Sequence, residues 1–81
     1  MLMKGIIIMK KRNLIGNNLK TFRKLKGISQ EMFVAKLNLI GLDLDRTSLS
    51  RIENYNREVY DYELVYFSQV LEINIADLLD I

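Results

Sequence analysis

The chain has 81 residues, of which 49% are apolar and 27% are charged. This composition is typical of one globular domain and argues against a chain that is disordered throughout. Cysteine and histidine are both absent, which excludes a disulfide framework and removes the most common metal ligand and general base. We therefore expect no cofactor, no metal, no small-molecule ligand and no enzymatic activity.

The net charge of +2 conceals a strong asymmetry along the chain. Residues 1–26 contain eight basic residues and no acidic one, whereas residues 58–81 contain six acidic residues and no basic one. A basic half favours a polyanionic partner such as nucleic acid. The alternative is an ordinary solvated surface on which the charges happen to segregate.

Residues 1–12 are predicted to form an N-terminal arm, separate from a helical domain at 13–81. The β-branched run at 6–8 suits an extended arm or an edge strand that pairs with a second subunit. A disordered leader, with Met9 as the natural start, is the other interpretation. The apolar run is too short to cross a membrane and lacks a cleavage site for secretion, so we expect a cytoplasmic protein.

The rest of the chain predicts an all-α fold of five helices. Helix one spans residues 14–26, with Asn13 as its cap and Gly27 as its end. Ser29 caps helix two, which ends at Gly41. Apolar stripes mark the expected buried faces, with Ile15, Leu19, Phe22 and Leu25 in helix one and Phe33, Val34, Leu37 and Ile40 in helix two.

A third, short helix is predicted at 45–54, with Asp45 as its N-cap. Leu49 and Ile52 form a narrow apolar seam, and polar side chains occupy the other sides. Helix four spans 61–72 and is capped by Asp61. A final helix at 75–79 is capped by Asn74, and the two helices bury Leu64, Phe67, Val70, Leu71, Ile75, Leu78 and Leu79.

Residues 23–31 follow the pattern R-x-x-x-G-x-S-Q-E, and residues 49–54 read L-S-R-I-E-N. In this order, the two stretches resemble the lambda-repressor/Cro-type (XRE) helix-turn-helix family. The resemblance covers residues 14–79 and implies a compact five-helix bundle that binds double-stranded DNA. In this family the second helix of the motif enters the major groove.

The resemblance also implies roles for individual residues. Arg46, Thr47 and Ser50 would reach base edges, with Arg46 suited to a bidentate contact with guanine. Gln30 would bind a phosphate or brace the recognition helix, and Arg51 would bind a phosphate or cover apolar surface. Asn56 and Arg57 would contact the DNA backbone. Arg23 and Glu53 would form a partly buried salt bridge between helices one and three.

Two of the departures from the family pattern affect the predicted path of the backbone. Eleven residues separate Leu37 from Leu49, so either helix two is longer than usual or the connection is looser. Tyr55 stands where glycine is frequent, which implies that Asn54 or Asn56 takes the left-handed conformation. The four tyrosines are expected to cover the seam beside helix four or a dimer contact, with base stacking as the alternative.

Three functions remain. The first is a sequence-specific transcriptional regulator, with a repressor as the expected kind, which binds a near-palindromic operator as a homodimer. The second is a protein-interaction module, such as an antitoxin-like or regulatory subunit. The third, an enzyme, would need carboxylates or lysines, and no paired set stands out.

Overall fold

The computed structural model describes residues 12–80, which form five α-helices. The predicted all-α, five-helix architecture is confirmed. Residues 1–11 and Ile81 lie outside the described part, and so does nearly all of the predicted arm. The helices are α1 (Gly16–Leu25), α2 (Gln30–Leu39), α3 (Arg46–Glu53), α4 (Asp61–Leu71) and α5 (Ile75–Leu78).

The helices enclose one apolar core. The rings of Phe33 in α2 and Phe67 in α4 lie 5.9 Å apart at their centroids, and both side chains are fully buried. Burying such side chains supplies most of the stability of a small domain. The other core residues are Ile15, Leu19, Leu37, Leu42, Leu44, Leu49, Ile52, Leu71 and Leu78.

Three positions predicted to be buried are exposed instead. Leu25, Ile40 and Leu79 have exposed fractions of 74%, 44% and 38%. Leu25 is the last residue of α1, and the other two directly follow the last residues of α2 and α5. The helical period does not predict burial at these positions, because the backbone leaves the helical path at the C-terminal end of each helix.

Local capping signals place most helix starts correctly. The Ser29 hydroxyl accepts a hydrogen bond from the Met32 N–H at 3.1 Å, and Gly27 has φ +70°. Asn13 does bind the free N–H groups at the start of α1, although the helix begins two residues later than predicted. Asp61 is the first residue of α4 rather than its cap, because Glu63 instead accepts from the N–H of Tyr60.

The connection between α2 and α3 is longer than in the family pattern, but it is tied down. Helix α2 ends at Leu39, so the extra residues belong to the connection at 40–45. Leu42 and Leu44 anchor it in the core. The Asn38 Nδ2 donates hydrogen bonds to their two carbonyl oxygens, at 2.8 Å and 3.2 Å respectively.

The residue that takes the left-handed conformation after α3 is Tyr55, with φ +62°. The expectation that Asn54 or Asn56 would do so is wrong. The Tyr55 hydroxyl accepts a hydrogen bond from the Asn17 N–H at 2.9 Å. This contact with the start of α1 offsets a backbone cost of about 1–2 kcal/mol.

Within residues 12–80, no helix is both long enough and apolar enough to cross a membrane.

Candidate nucleic-acid interface

Helix α3 is held by its apolar seam and presents polar side chains outward. Leu49 and Ile52 are fully buried, whereas Arg46 and Thr47 are exposed and Ser50 is half-buried. The Asp45 carboxylate accepts the Ser48 N–H at 2.7 Å, and this hydrogen bond lowers the pKa of Asp45. A carboxylate at this end of the helix also interacts favourably with the helix dipole.

Most of the residues selected from the sequence surround one shallow depression. It has a volume of about 260 Å³ and lies where α3 meets the start of α2. Its lining consists of Gln30, Arg46, Thr47, Ser50 and Arg51. The depression therefore combines two cations with hydroxyl and amide groups, which are the groups that contact base edges and phosphates.

A buried ion pair lies behind this depression. The Arg23 Nε and the Glu53 Oε2 are 2.7 Å apart, and Arg23 Nη2 lies 3.0 Å from Glu53 Oε1. Their side chains are only 7% and 1% exposed. The Arg23 Nη1 also donates to the carbonyl of Ile28, so the pair ties α1, α3 and the turn before α2 together.

Gln30 connects the ion pair to the exposed face of α3. Its Nε2 donates to Glu53 Oε1 at 3.0 Å, and its Oε1 accepts from Arg46 Nε at 3.3 Å. Of the two roles considered for Gln30, bracing α3 is the one with a direct contact in the structure.

Arg51 and Asn56 form a separate small contact beside α3. The Arg51 Nη2 donates to the Asn56 carbonyl at 3.3 Å, and both residues are exposed. Asn56 does not line the depression. Arg51 therefore supports the loop after α3 while its remaining N–H groups stay accessible to an anion.

Arg57 points into the protein rather than toward the depression. Its guanidinium forms a bidentate pair with Glu63 at 3.1 Å and 2.9 Å and lies 5.5 Å from the centre of the Tyr60 ring. The hydrogen bonds to Glu63 raise the pKa of Arg57. The structure thus gives Arg57 a partner that sequence reasoning missed, although an acidic residue three positions after Tyr60 is a recognisable capping signal.

Asn13 is a second structural residue whose full role the sequence did not reveal. It is buried, and its Nδ2 donates to the carbonyl of Ile52 at 2.8 Å and to that of Arg57 at 3.1 Å. Asn13 therefore fixes both the end of α3 and the loop that follows it. Only its capping role was visible as a local pattern.

The tyrosines occupy two different environments. Tyr60 and Tyr62 are exposed and stacked, with ring centroids 5.9 Å apart. Tyr55 contacts the start of α1, and Tyr66 lies close to Gly41 at the end of α2.

Across the part of the chain that the structure describes, no group of acidic side chains is arranged to hold a metal ion.

The fold and the depression define a small all-α protein in which α3, joined to α2 by the connection at 40–45, presents a polar face. Control protein C.MunI from a Mycoplasma species is 44% identical to the chain over 64 residues. The matched region covers 78% of this chain and 80% of that protein. The chain belongs to the family of C.MunI-type control proteins. No protein-family model and no solved structure matches it.

Proposed function

We propose that this protein binds double-stranded DNA and regulates transcription as a member of the lambda-repressor/Cro-type family. The observation that carries the proposal is the outward polar face of α3, where Arg46, Thr47 and Ser50 line one depression with Gln30. The name of its relative, a control protein, supports a regulatory role. Binding rather than catalysis is the activity that this set of side chains suits.

In this proposal α3 lies in the major groove and Arg46 is the principal base-reading residue. An exposed arginine at the first position of the helix can donate to O6 and N7 of guanine, the most common specific contact. Thr47 and Ser50 supply shorter hydrogen-bonding groups. Arg51 and Asn56 contact the DNA backbone at the edge of the groove.

Arg57 has a supporting role in the proposal. Its guanidinium is bonded to Glu63, so it shapes the loop after α3. The loop backbone and Asn56, rather than the Arg57 side chain, then approach the phosphates.

We further propose that the protein acts as a cytoplasmic homodimer on a near-palindromic operator and represses transcription. A single α3 reads only a few base pairs, whereas two copies related by a two-fold axis read two half-sites about one helical turn apart. The segment around Leu78 and Leu79 is our candidate for the dimer contact, because Leu79 is exposed beside the buried Leu78.

The test is selection of bound sequences from a pool of randomised duplexes, followed by band shifts. We expect one enriched motif with two related halves. Binding should weaken with salt, with a log–log slope of roughly −0.9 per phosphate neutralised. Arg46→Ala should weaken binding to the motif by about 1–3 kcal/mol and relax the preference at one base pair of each half-site, while retaining nonspecific binding.

Lys26→Ala is the charge-matched control for that experiment. Lys26 is exposed, directly follows α1 and does not line the depression. Its removal should leave the selected motif unchanged. Any loss of affinity should be equal for all sequences. Absent binding, or binding insensitive to salt, would contradict the proposal and favour a protein-interaction module on the same fold.

A further inference from the structure

We propose that Glu53, although buried, is a positioning residue for base readout: through Gln30 it sets the direction in which the Arg46 guanidinium points. This inference rests on the proposed function, because it assigns a determinant of specificity to the same site. It extends the role of the Arg23–Glu53 pair beyond holding two helices together.

The first link is the buried carboxylate of Glu53. Its side chain is 1% exposed, and Arg23 binds both of its oxygens. Arg23 is itself held by the carbonyl of Ile28 at 2.8 Å. An ionised carboxylate accepts hydrogen bonds and cannot donate them. Glu53 therefore presents an acceptor of fixed position to any group that approaches it from α2.

The second link is the amide of Gln30, which has one donor end and one acceptor end. Because Glu53 can only accept, the Nε2 of Gln30 must face it, and the observed distance to Oε1 is 3.0 Å. The planar amide then directs its Oε1 away from Glu53. The reverse orientation would place two acceptor oxygens against each other.

The third link joins this oxygen to Arg46. The Arg46 Nε donates to Gln30 Oε1 at 3.3 Å. Because Glu53 can only accept, the oxygen of the Gln30 amide is the end that remains for Arg46. The bond between Gln30 and Arg46 lies at the surface and is weak by itself, but the position of its acceptor is set by a buried group.

The use of Nε leaves the two terminal nitrogens of Arg46 available. Guanine offers two acceptors, O6 and N7, side by side in the major groove. When Gln30 holds the guanidinium through Nε, the two terminal nitrogens of Arg46 can therefore donate to O6 and N7 of guanine. Restricting the rotation of the guanidinium before binding also reduces the conformational entropy lost on contact.

Gln30→Leu is the main test, because it removes both amide contacts and leaves the Arg23–Glu53 pair in place. In the randomised-duplex selection, we expect the variant to lose about tenfold in discrimination at the base pair that Arg46→Ala identifies. Discrimination at other positions should be retained. The double variant Gln30→Leu/Arg46→Ala should show no further loss of discrimination beyond that of Arg46→Ala alone. Both changes disrupt the same coupled contact, so their effects should not add.

Gln69→Leu is the matched control, because Gln69 lies on the exposed face of α4. It should change neither the motif nor the affinity. Glu53→Gln tests the polarity directly, since a neutral amide can donate to Gln30 and let it reverse. Where thermal unfolding shows that this variant is folded, it should lose discrimination at the same base pair as Gln30→Leu.

Two results would overturn the inference while leaving the proposed function intact. One is an equal loss of affinity of Gln30→Leu for every sequence, which would make Gln30 a phosphate contact. The other is an additive effect of Gln30→Leu and Arg46→Ala on discrimination. If the unaltered chain enriches no sequence at all, the proposed function itself fails, and that outcome is seen before any variant is made.

Discussion

The carbonyl oxygen of Ile52 lies 2.5 Å from the point that a Cβ atom on Gly16 would occupy. The first turn of α1 therefore approaches the backbone of α3 more closely than any residue with a side chain at position 16 would allow. The ring of Tyr55 covers the same glycine, with its Cε1 3.1 Å from that point. A glycine that looks unfavourable in a helix is thus required by the contact between helices.

Gly16→Ala should destabilise the protein, although alanine is the better helix former by about 1 kcal/mol. The added methyl group meets backbone, which cannot rotate away as a side chain can. We expect the free energy of unfolding to fall by about 1–3 kcal/mol, as for other overpacked sites. Urea denaturation measures it, with Thr21→Ala on the exposed face of α1 as the control. A gain in stability for Gly16→Ala would show that α1 can move away from α3.

Tyr55→Phe isolates the hydroxyl group that holds the loop after α3. The ring stays over Gly16, but the Asn17 N–H loses its acceptor. We expect a loss of about 1 kcal/mol in the free energy of unfolding. Tyr62→Phe is the control, because Tyr62 is 54% exposed and stacks on Tyr60 through its ring. Equal stability of the two variants would contradict a role for the Tyr55 hydroxyl.

Arg23→Ala should be strongly destabilising because it leaves the buried carboxylate of Glu53 without its cation. Breaking one partner of a buried pair costs about 3–5 kcal/mol. The double variant Arg23→Met/Glu53→Met leaves no buried charge, so it should be much closer to the unaltered protein in stability. Thermal and urea unfolding of both variants measure the difference. An unchanged melting temperature for Arg23→Ala would show that the pair contributes little.

Asp45 should contribute to the loss of stability in acid. The Ser48 N–H lowers its pKa in the folded state below the ordinary value of 3.8. Its stabilising effect is therefore complete at pH values above the unfolded pKa and is lost as the pH falls through the lower, folded pKa. Asp45→Asn retains a capping oxygen that does not titrate.

The melting temperature should consequently fall less steeply below about pH 4 for Asp45→Asn than for the unaltered protein. Asp43→Asn, in the connection between α2 and α3, removes a carboxylate from a residue that caps no helix and serves as the control. Parallel curves for the unaltered chain and Asp45→Asn would contradict the capping role of the carboxylate.

Local chemistry accounts for what could be predicted about the fold. Ser29 and Asp45 marked helix starts because their side-chain oxygens bind backbone N–H groups within three residues. Gly27 marked an end because it adopts a positive φ without strain. The exposed positions Arg46 and Thr47 followed from the helical period once the apolar seam of α3 was known.

Contacts between the loop after α3 and the helices beside it account for what was missed. Tyr55 adopts the left-handed conformation because its hydroxyl contacts Asn17, 38 residues earlier in the chain. Arg57 was expected to contact the DNA backbone, and the structure adds Glu63 as the partner of its guanidinium. Glu63 was recognisable as a capping residue, but its pairing with Arg57, like the contact between Tyr55 and Asn17, depends on how α4 and α1 pack beside the loop.

The sequence by itself determined the five helices, the caps at Ser29 and Asp45 and the polar residues on α3, because these depend on interactions within one or two turns. Only the tertiary structure decided how Gln30 links Arg46 to Glu53 and why Gly16 must lack a side chain. Those relationships join residues that are far apart in the chain and meet only when the core forms. The helical period could therefore identify the side chains that face outward, whereas packing of the helices decided which of them are held in a fixed direction.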